Sequence, residues 1–122
     1  MPLPLPPASP RRLVFLGTPA AAVPSLRALV AGGFEVGLVV SQPDRRRGRG
    51  GAVGPSPVKA AALELGLPVT DRVDDVRDVG ADLGVVVAFG EILRADLLEA
   101  VPMVNVHFSL LPRWRGAAPV ER

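Results

Sequence analysis

The chain has no cysteine and no tyrosine, and only one histidine, one tryptophan and one lysine among 122 residues. The absence of cysteine excludes disulfide bonds, thiolate chemistry and cysteine-based metal sites, and it is compatible with a reducing cytosol. No apolar run reaches the roughly 18 residues that a transmembrane helix needs. Residues 1–11 are rich in proline and lack the continuous apolar segment of a signal peptide. We therefore expect a disordered leader and a cytoplasmic protein.

The residues that are present favour a folded α/β domain. Hydrophobic residues make up 48% of the chain, which suits a buried parallel sheet. The net charge is only +2, so the overall charge gives no reason to expect a nucleic-acid ligand. The distribution of charge is more informative, because Arg45, Arg46, Arg47 and Arg49 lie within one glycine-rich segment.

Apolar runs and turn residues alternate along the chain. They predict strands at 13–16, 34–41, 67–70, 83–89 and 103–108, and helices at 23–31, 57–65 and 92–99, with helical turns at 71–79 and a loop at 42–55. Ser56 is the expected N-cap of the second helix, and Pro57 fits its first position. Strands that alternate with helices indicate a doubly wound, mostly parallel Rossmann-like sheet.

The segment 105–116, Asn-Val-His-Phe-Ser-Leu-Leu-Pro-Arg-Trp-Arg-Gly, is the strongest candidate for a functional site. In a strand, Val104 and Val106 face one side, and Asn105 and His107 face the other. Open α/β sheets bind ligands at the carboxyl ends of their strands, which is where this amide and imidazole are expected. A lone histidine near a strand end is more often structural, so the spacing alone leaves both interpretations open.

The whole segment resembles the N-x-H-x-S-L-L-P signature of the 10-formyltetrahydrofolate-dependent formyltransferase family. Gly17-Thr18-Pro19 and Gln42-Pro43-Asp44-Arg45 narrow the resemblance to the methionyl-tRNA formyltransferases within that family. The resemblance runs from about residue 12 to residue 122. It implies the formyltransferase fold, 10-formyltetrahydrofolate as co-substrate, and the α-amino group of methionyl initiator tRNA as acceptor.

The resemblance also implies roles for individual residues. It assigns Asn105 and His107 to catalysis, as donors to the developing oxyanion and, for the imidazole, as a proton shuttle. The folate-contacting turn corresponds to Ser109, Leu110, Leu111 and Pro112. Phe89, Gly90 and Leu93 are expected to line the pterin pocket beside that turn.

The arginine-rich segment corresponds to the family's loop that reaches the acceptor end of the tRNA. The resemblance assigns tRNA contacts to Arg45 and Arg49, whose guanidinium groups suit phosphate oxygens. Taken without the resemblance, these arginines fit a solvated mobile loop equally well.

Several features depart from the family pattern or are missing from it. Ala20 and Ala21 stand where an acidic and an aromatic residue usually follow the proline. The family's catalytic aspartate lies in a D-x-G-x-D-T-G segment, and no segment of this chain resembles it. We therefore expect residues 12–122 to be the incomplete N-terminal part of a catalytic domain, inactive alone, with the C-terminal tRNA-binding domain absent.

Other cofactors are not expected. Gly17-Thr18-Pro19 follows a predicted strand but lacks the second and third glycines of a dinucleotide fingerprint, so NAD is not predicted. The acidic residues of 71–79 form no metal-binding pattern, so no metal is predicted either. The parent protein is expected to be a monomer.

Two alternative functions remain open. The chain could belong to another folate-dependent formyltransferase or hydrolase that acts on a small amine. The basic glycine-rich segment argues against that, because a small substrate needs no such loop. From a different class, the chain could be a non-catalytic RNA-binding module that uses its arginines.

Overall fold

The computed structural model describes residues 9–46 and 53–106. Within these ranges the strands are β1 (Arg12–Gly17), β2 (Glu35–Val40), β3 (Arg45–Arg46), β4 (Val53–Gly54), β5 (Val69–Thr70), β6 (Leu83–Val87) and β7 (Met103–Val106). The helices are α1 (Val23–Ala31), α2 (Pro57–Glu64) and α3 (Ala95–Ala100), and 3₁₀ segments cover Ala20–Ala22 and Val73–Asp78. None of the helices in these ranges is long and apolar enough to cross a membrane.

Five strands form one parallel sheet in the order β5-β2-β1-β6-β7. The chain starts on the central strand, adds β2 and β5 on one side, and then returns to add β6 and β7 on the other. This reversal is the topological switch of a doubly wound sheet, so the predicted Rossmann-like α/β fold class is confirmed. Sheets of this kind bind ligands beyond the carboxyl ends of the strands at the switch, which here are β1 and β6.

Alternate residues of β1 face opposite layers of the core. Phe15 shares a buried cluster with Leu26 of α1 and with residues of α2. Leu16 faces the other layer, in a cluster that includes Leu97 of α3 and a residue of the second 3₁₀ segment. A strand covered on both faces needs apolar side chains at every position, which explains the continuous apolar run at the start of the fold.

The ends of the helices follow the sequence signals. The Ser56 hydroxyl accepts a hydrogen bond from the Lys59 N–H at 3.0 Å, so the predicted N-cap of α2 is confirmed. Gly66 follows the end of α2 with φ +74°, and Gly33 follows the end of α1 with φ +90°. Glycine adopts this left-handed conformation without the steric cost that a Cβ imposes.

The predicted helical turns of 71–79 are 3₁₀ rather than α-helical. The Thr70 hydroxyl donates to the Asp75 carboxylate at 2.5 Å and accepts from the Arg72 N–H at 3.1 Å. These side-chain bonds fix a tight turn at the start of the segment and compete with the α-helical pattern. Val76 anchors the turn in the core.

β6 ends earlier, and α3 begins later, than the sequence predicts. Ala88 and Gly90 have φ +52° and φ +87°, so the backbone leaves the β conformation directly after Val87. The carbonyl of Arg94 accepts the first N–H bonds of α3, from Leu97 at 3.1 Å and Leu98 at 3.2 Å. The predicted helix start at residue 92 is therefore wrong, because the connection uses those residues to leave the sheet.

The predicted loop of 42–55 contains a short antiparallel pair. Arg45 of β3 lies opposite Gly54 of β4, and Arg46 lies opposite Val53. Strands of two residues are too short to show an alternating pattern, so the sequence gives no sign of them. The two arms of the segment are thus held side by side.

The beginning of β1 is bound to the residue that precedes β6. The Asp82 carboxylate accepts the backbone N–H groups of Arg12 and Arg11, each at 3.0 Å. These two bonds hold the pKa of the Asp82 carboxyl below its usual range. The carbonyl of Arg11 also accepts the N–H of Glu35 at 3.0 Å, so the chain is fixed to the sheet from this residue onward.

The lowered pKa of Asp82 predicts a pH-dependent contribution to stability. The ionised carboxylate stabilises the fold above the pKa of the unfolded state, about 4, and this contribution is lost as the pH falls through the folded pKa. We expect Asp82→Asn to lower the urea midpoint at about pH 7 and to approach the wild type at about pH 3. Asp78→Asn, at another exposed carboxylate, is the control. A midpoint difference that is the same at both pH values would contradict this assignment.

Candidate active site

Residues at or just beyond the ends of four strands lie at the carboxyl edge of the sheet. Thr18 follows β1 directly, Gln42 lies just beyond β2, Phe89 lies just beyond β6, and Asn105 is near the end of β7. Parallel strands bring these positions to one edge although they are far apart in sequence. The edge therefore holds a hydroxyl, two amides and an irregular backbone segment in one region.

The carbonyl of Phe89 is the point where the segments that follow β1, β2 and β6 are hydrogen-bonded to one another. The Thr18 hydroxyl donates to it at 3.0 Å, and the Gln42 side-chain amide donates to it at 3.4 Å. The Gln42 backbone N–H donates in turn to the Thr18 hydroxyl at 3.4 Å. Thr18 is 8% exposed and Phe89 is 3% exposed, so the shorter bond is shielded from water.

A cleft of about 360 Å³ opens beside this junction. Its lining consists of the end of β6, the segment that follows, and the end of β7: Val86, Ala88, Phe89, Gly90, Glu91, Asn105 and Val106. Asn105 pairs in register with Val86 and is exposed, while Val104 pairs with Val85 and packs against the core. The predicted alternation of β7 is thus confirmed for Val104 and Asn105. Val106 does not follow Val104 into the core, because it is exposed and lines the same cleft as Asn105.

Comparison with known proteins identifies the group to which this architecture belongs. The formyl transferase family matches residues 11–122. This chain belongs to the formyl transferase family. The resemblance carried by the Asn105 segment is therefore confirmed at the level of the family.

Curated relatives in this family are similar over most of the chain. The methionyl-tRNA formyltransferase of Heliobacterium modesticaldum is 58% identical over 91% of this chain and 38% of its own length. Those of Moorella thermoacetica and Symbiobacterium thermophilum are 54% and 50% identical, again over 91% of this chain and 39% and 37% of their own lengths. The chain thus spans less than two fifths of the relatives that it matches.

The described part of this formyl transferase brings together only some of the predicted site residues. Asn105, Phe89 and Gly90 line one cleft. Leu93 is half-buried and packs against the core cluster that contains Phe89. His107 and the turn at 109–112 lie outside the described residues.

The arginine-rich segment of this formyl transferase is anchored at its base. Arg45 lies in β3 and is exposed, and Arg49 lies outside the described residues. Lys59 of α2 forms an ion pair with Asp44 at 2.8 Å. The hydroxyls of Ser41 and Ser56, just before the segment and just before α2, are hydrogen-bonded to each other at 2.5 Å and buried. Both contacts hold the start of the segment against α2.

Asp96 is the carboxylate on the α3 side that could be mistaken for a catalytic base. Its carboxylate is bound by Arg77 at 2.7 Å and by Arg94 at 3.3 Å. The hydrogen bond from Arg94 is the main cause of the lowered pKa of Asp96. A carboxylate held ionised by two guanidinium groups accepts a proton poorly, so Asp96 is a poor candidate for a catalytic base. Residues 9–46 and 53–106 contain no cluster of three His, Cys, Asp or Glu side chains suited to a metal ion.

Thr18 and Gln42 are the site residues that the sequence did not single out. In the sequence, Thr18 stands within Gly17-Thr18-Pro19, and Gln42 begins the segment Gln42-Pro43-Asp44-Arg45. A signal was present, because each is a polar residue just after a buried parallel strand. Only the strand order shows that both side chains reach the connection after β6.

Proposed function

We propose that this chain is the N-terminal part of the catalytic domain of an enzyme that formylates methionyl initiator tRNA with 10-formyltetrahydrofolate. Support comes mainly from Asn105, which lies exposed in a cleft beside Phe89 and Gly90 within a chain of the formyl transferase family. The names of the relatives, methionyl-tRNA formyltransferase, favour this acceptor. We further propose a cytoplasmic monomer with a C-terminal tRNA-binding domain.

The cleft suits the flat heterocycle of a folate. Its volume of about 360 Å³ lies within the range of about 300–1,000 Å³ that is typical of small-molecule sites. Its walls combine the apolar side chains of Val86 and Val106 with the exposed backbone around Ala88 and Gly90. Backbone N–H and C=O groups in such a wall can pair with the edge of a pterin ring. We assign the remaining folate contacts to Leu93 and to the turn of Ser109, Leu110, Leu111 and Pro112.

The transfer requires few protein groups. The methionyl amine forms a bond to the formyl carbon, the carbonyl oxygen becomes an oxyanion, and the bond between the formyl carbon and N10 of the folate then breaks. The amine loses a proton and N10 gains one, so protons and charge balance. This chemistry calls on no metal and no redox cofactor.

Asn105 and His107 are the proposed catalytic groups. The Asn105 side-chain amide can donate a hydrogen bond to the oxyanion, and it is held by the pairing of β7 with β6. A donor fixed before the reaction stabilises developing charge without reorganisation. His107 follows two residues later in the sequence, and an imidazole titrates near neutral pH, which suits a proton shuttle.

The arginine-rich segment is the proposed contact for the tRNA acceptor end. Arg45 is exposed on β3, and Arg49 follows it in the sequence, before β4 begins at Val53. The ion pair of Asp44 with Lys59 fixes the base of the segment near the carboxyl edge of the sheet. A cationic segment placed there could hold the tRNA backbone while the methionyl amine enters the cleft.

The choice of acceptor tests this function directly. The full-length protein should formylate methionyl-tRNA in preference to aminated ribonucleotides or amino sugars. Transfer only to small amines would contradict the proposed acceptor and favour the small-amine alternative.

His107→Ala separates catalysis from RNA binding, because we expect it to abolish turnover while tRNA binding is retained. Unchanged turnover in that variant would remove His107 from the catalytic groups.

Replacing Asn105 tests the oxyanion assignment. Loss of one preorganised donor lowers kcat by about 10²–10³-fold, or about 3 kcal/mol in the activation free energy. We expect Asn105→Ala to show a decrease of this size, with little change in the KM for methionyl-tRNA, in steady-state formylation assays. Glu99→Ala, at an exposed polar residue of α3, serves as the control. Equal kcat values for the Asn105 variant and the control would count against this role.

Replacing Arg49 tests the tRNA contact. Each phosphate contact contributes about 0.7–0.9 to the slope of log K against log salt concentration. We expect Arg49→Ala to weaken tRNA binding and to reduce that slope by the amount that one phosphate contact contributes, about 0.7–0.9. Folate binding should be retained. Arg27→Ala removes the same charge near the opposite end of α2, where Arg27 pairs with Glu64 at 2.9 Å, and is the matched control. Equal salt slopes for the two variants would contradict the assignment.

A further inference from the structure

The carbonyl of Phe89 is the point where the connections after β1, β2 and β6 are hydrogen-bonded to one another. It accepts from the Thr18 hydroxyl at 3.0 Å and from the Gln42 amide at 3.4 Å. The same Thr18 hydroxyl accepts from the Gln42 N–H at 3.4 Å. One threonine therefore acts as both donor and acceptor between two connections that lie on opposite sides of β1.

The segment around Phe89 depends on such support. Ala88 has φ +52°, which is unfavourable for a residue with a Cβ, and Gly90 has φ +87°. β6 ends at Val87, so Ala88 to Gly90 lie beyond the strand. A non-glycine residue persists in this conformation only where its surroundings hold it there.

The backbone held in this way is one wall of the cleft. Ala88, Phe89 and Gly90 face the cleft that Asn105 lines from the other side. A rotation of the Phe89 peptide would displace the backbone N–H and C=O groups of residues 88–90. A heterocycle bound in the cleft would contact these groups. Binding groups need positions fixed to within about 0.5 Å by contacts behind them.

We propose that Thr18 and Gln42 are positioning residues that fix the 88–90 wall of the donor cleft through the Phe89 carbonyl. This inference rests on the proposed function, since it takes the occupant of the cleft to be a folate. Neither side chain is among those that line the cleft. They act from behind it, and Thr18 is the principal one because it makes the shorter bond to Phe89 and also holds Gln42.

The first test measures binding of 5-formyltetrahydrofolate, a folate that does not serve as the formyl donor, to the full-length protein by calorimetry. Thr18→Val keeps the shape of the side chain but removes the hydroxyl, so it leaves the Phe89 carbonyl and the Gln42 N–H each without this partner. We expect its Kd to rise about tenfold. Thr18→Ser restores the hydroxyl and should remain within about twofold of the wild type.

The matched control is Thr70→Val. Thr70 uses its hydroxyl in the same way, donating to Asp75 and accepting from the Arg72 N–H, but it lies by β5 and away from the cleft. This variant should lose stability without losing folate affinity. Equal Kd values for Thr18→Val and the wild type, or an equal loss in Thr18→Ser and Thr18→Val, would overturn the positioning role.

A second measurement needs no ligand and separates this inference from the proposed function. The amide resonances of Gly90 and Glu91 in ¹H–¹⁵N spectra should shift in Thr18→Val and in Gln42→Leu, and stay in place in Thr70→Val. Unshifted resonances would overturn the inference even if folate binds. If the wild-type protein binds no folate, the proposed function is overturned, and so is the assignment of the 88–90 wall to a folate site. The Gly90 and Glu91 resonances would still show whether Thr18 fixes that wall.

Discussion

The pairing of β1 with β6 brings the two central connections of the sheet within hydrogen-bonding distance. β1 is paired on both sides, and residues 13–17 are buried. At its carboxyl end the two strands are so close that a Cβ on Gly17 would lie 2.8 Å from the carbonyl oxygen of Val87. Glycine at this position allows the strands to remain in register up to their last residues. The Thr18 hydroxyl reaches the Phe89 carbonyl for this reason, and the shape of the cleft depends on it.

The same strand order divides the carboxyl edge into two regions. On the side of β6 and β7 lies the cleft with Asn105, whose walls are backbone and apolar side chains. On the side of β2 and β5 lies the arginine-rich segment, held to α2 by the pair of Asp44 and Lys59. Gln42 connects the two regions, because it begins the arginine-rich segment and donates to the Phe89 carbonyl.

Most of the fold could be predicted because its signals are local. The apolar runs that became β1 and β6, and the N-cap at Ser56, depend on neighbouring residues alone. The 3₁₀ geometry of 73–78 and the pairing of β3 with β4 could not be predicted, because both are set by a few specific hydrogen bonds between residues with no periodic pattern.

The candidate site was predictable only in part, and the reason is similar. The alternation of β7 indicated the face on which Asn105 lies, and the resemblance to the formyltransferases implied that residues after β6 line a pocket. The roles of Thr18 and Gln42 depend on contacts across 71 and 47 residues of sequence. The place of each residue just after a buried strand marks it as a candidate for the site, but only the strand order shows which backbone group it holds. The left-handed conformation of Ala88 was equally hidden, since alanine gives no sequence signal for it.

The anchoring of the arginine-rich segment bears on how it could bind RNA. Its first arm is fixed by Gln42 and Asp44, and its second arm by the antiparallel pairing of Gly54 with Arg45 and by the start of α2. Only residues 47–52 lie between the two arms. Ordering a segment on a ligand costs conformational entropy in proportion to the residues that must be fixed, about 1–2 kcal/mol each for the backbone. Because residues 42–46 and 53–57 are already fixed by these contacts, none of that cost falls on the two arms.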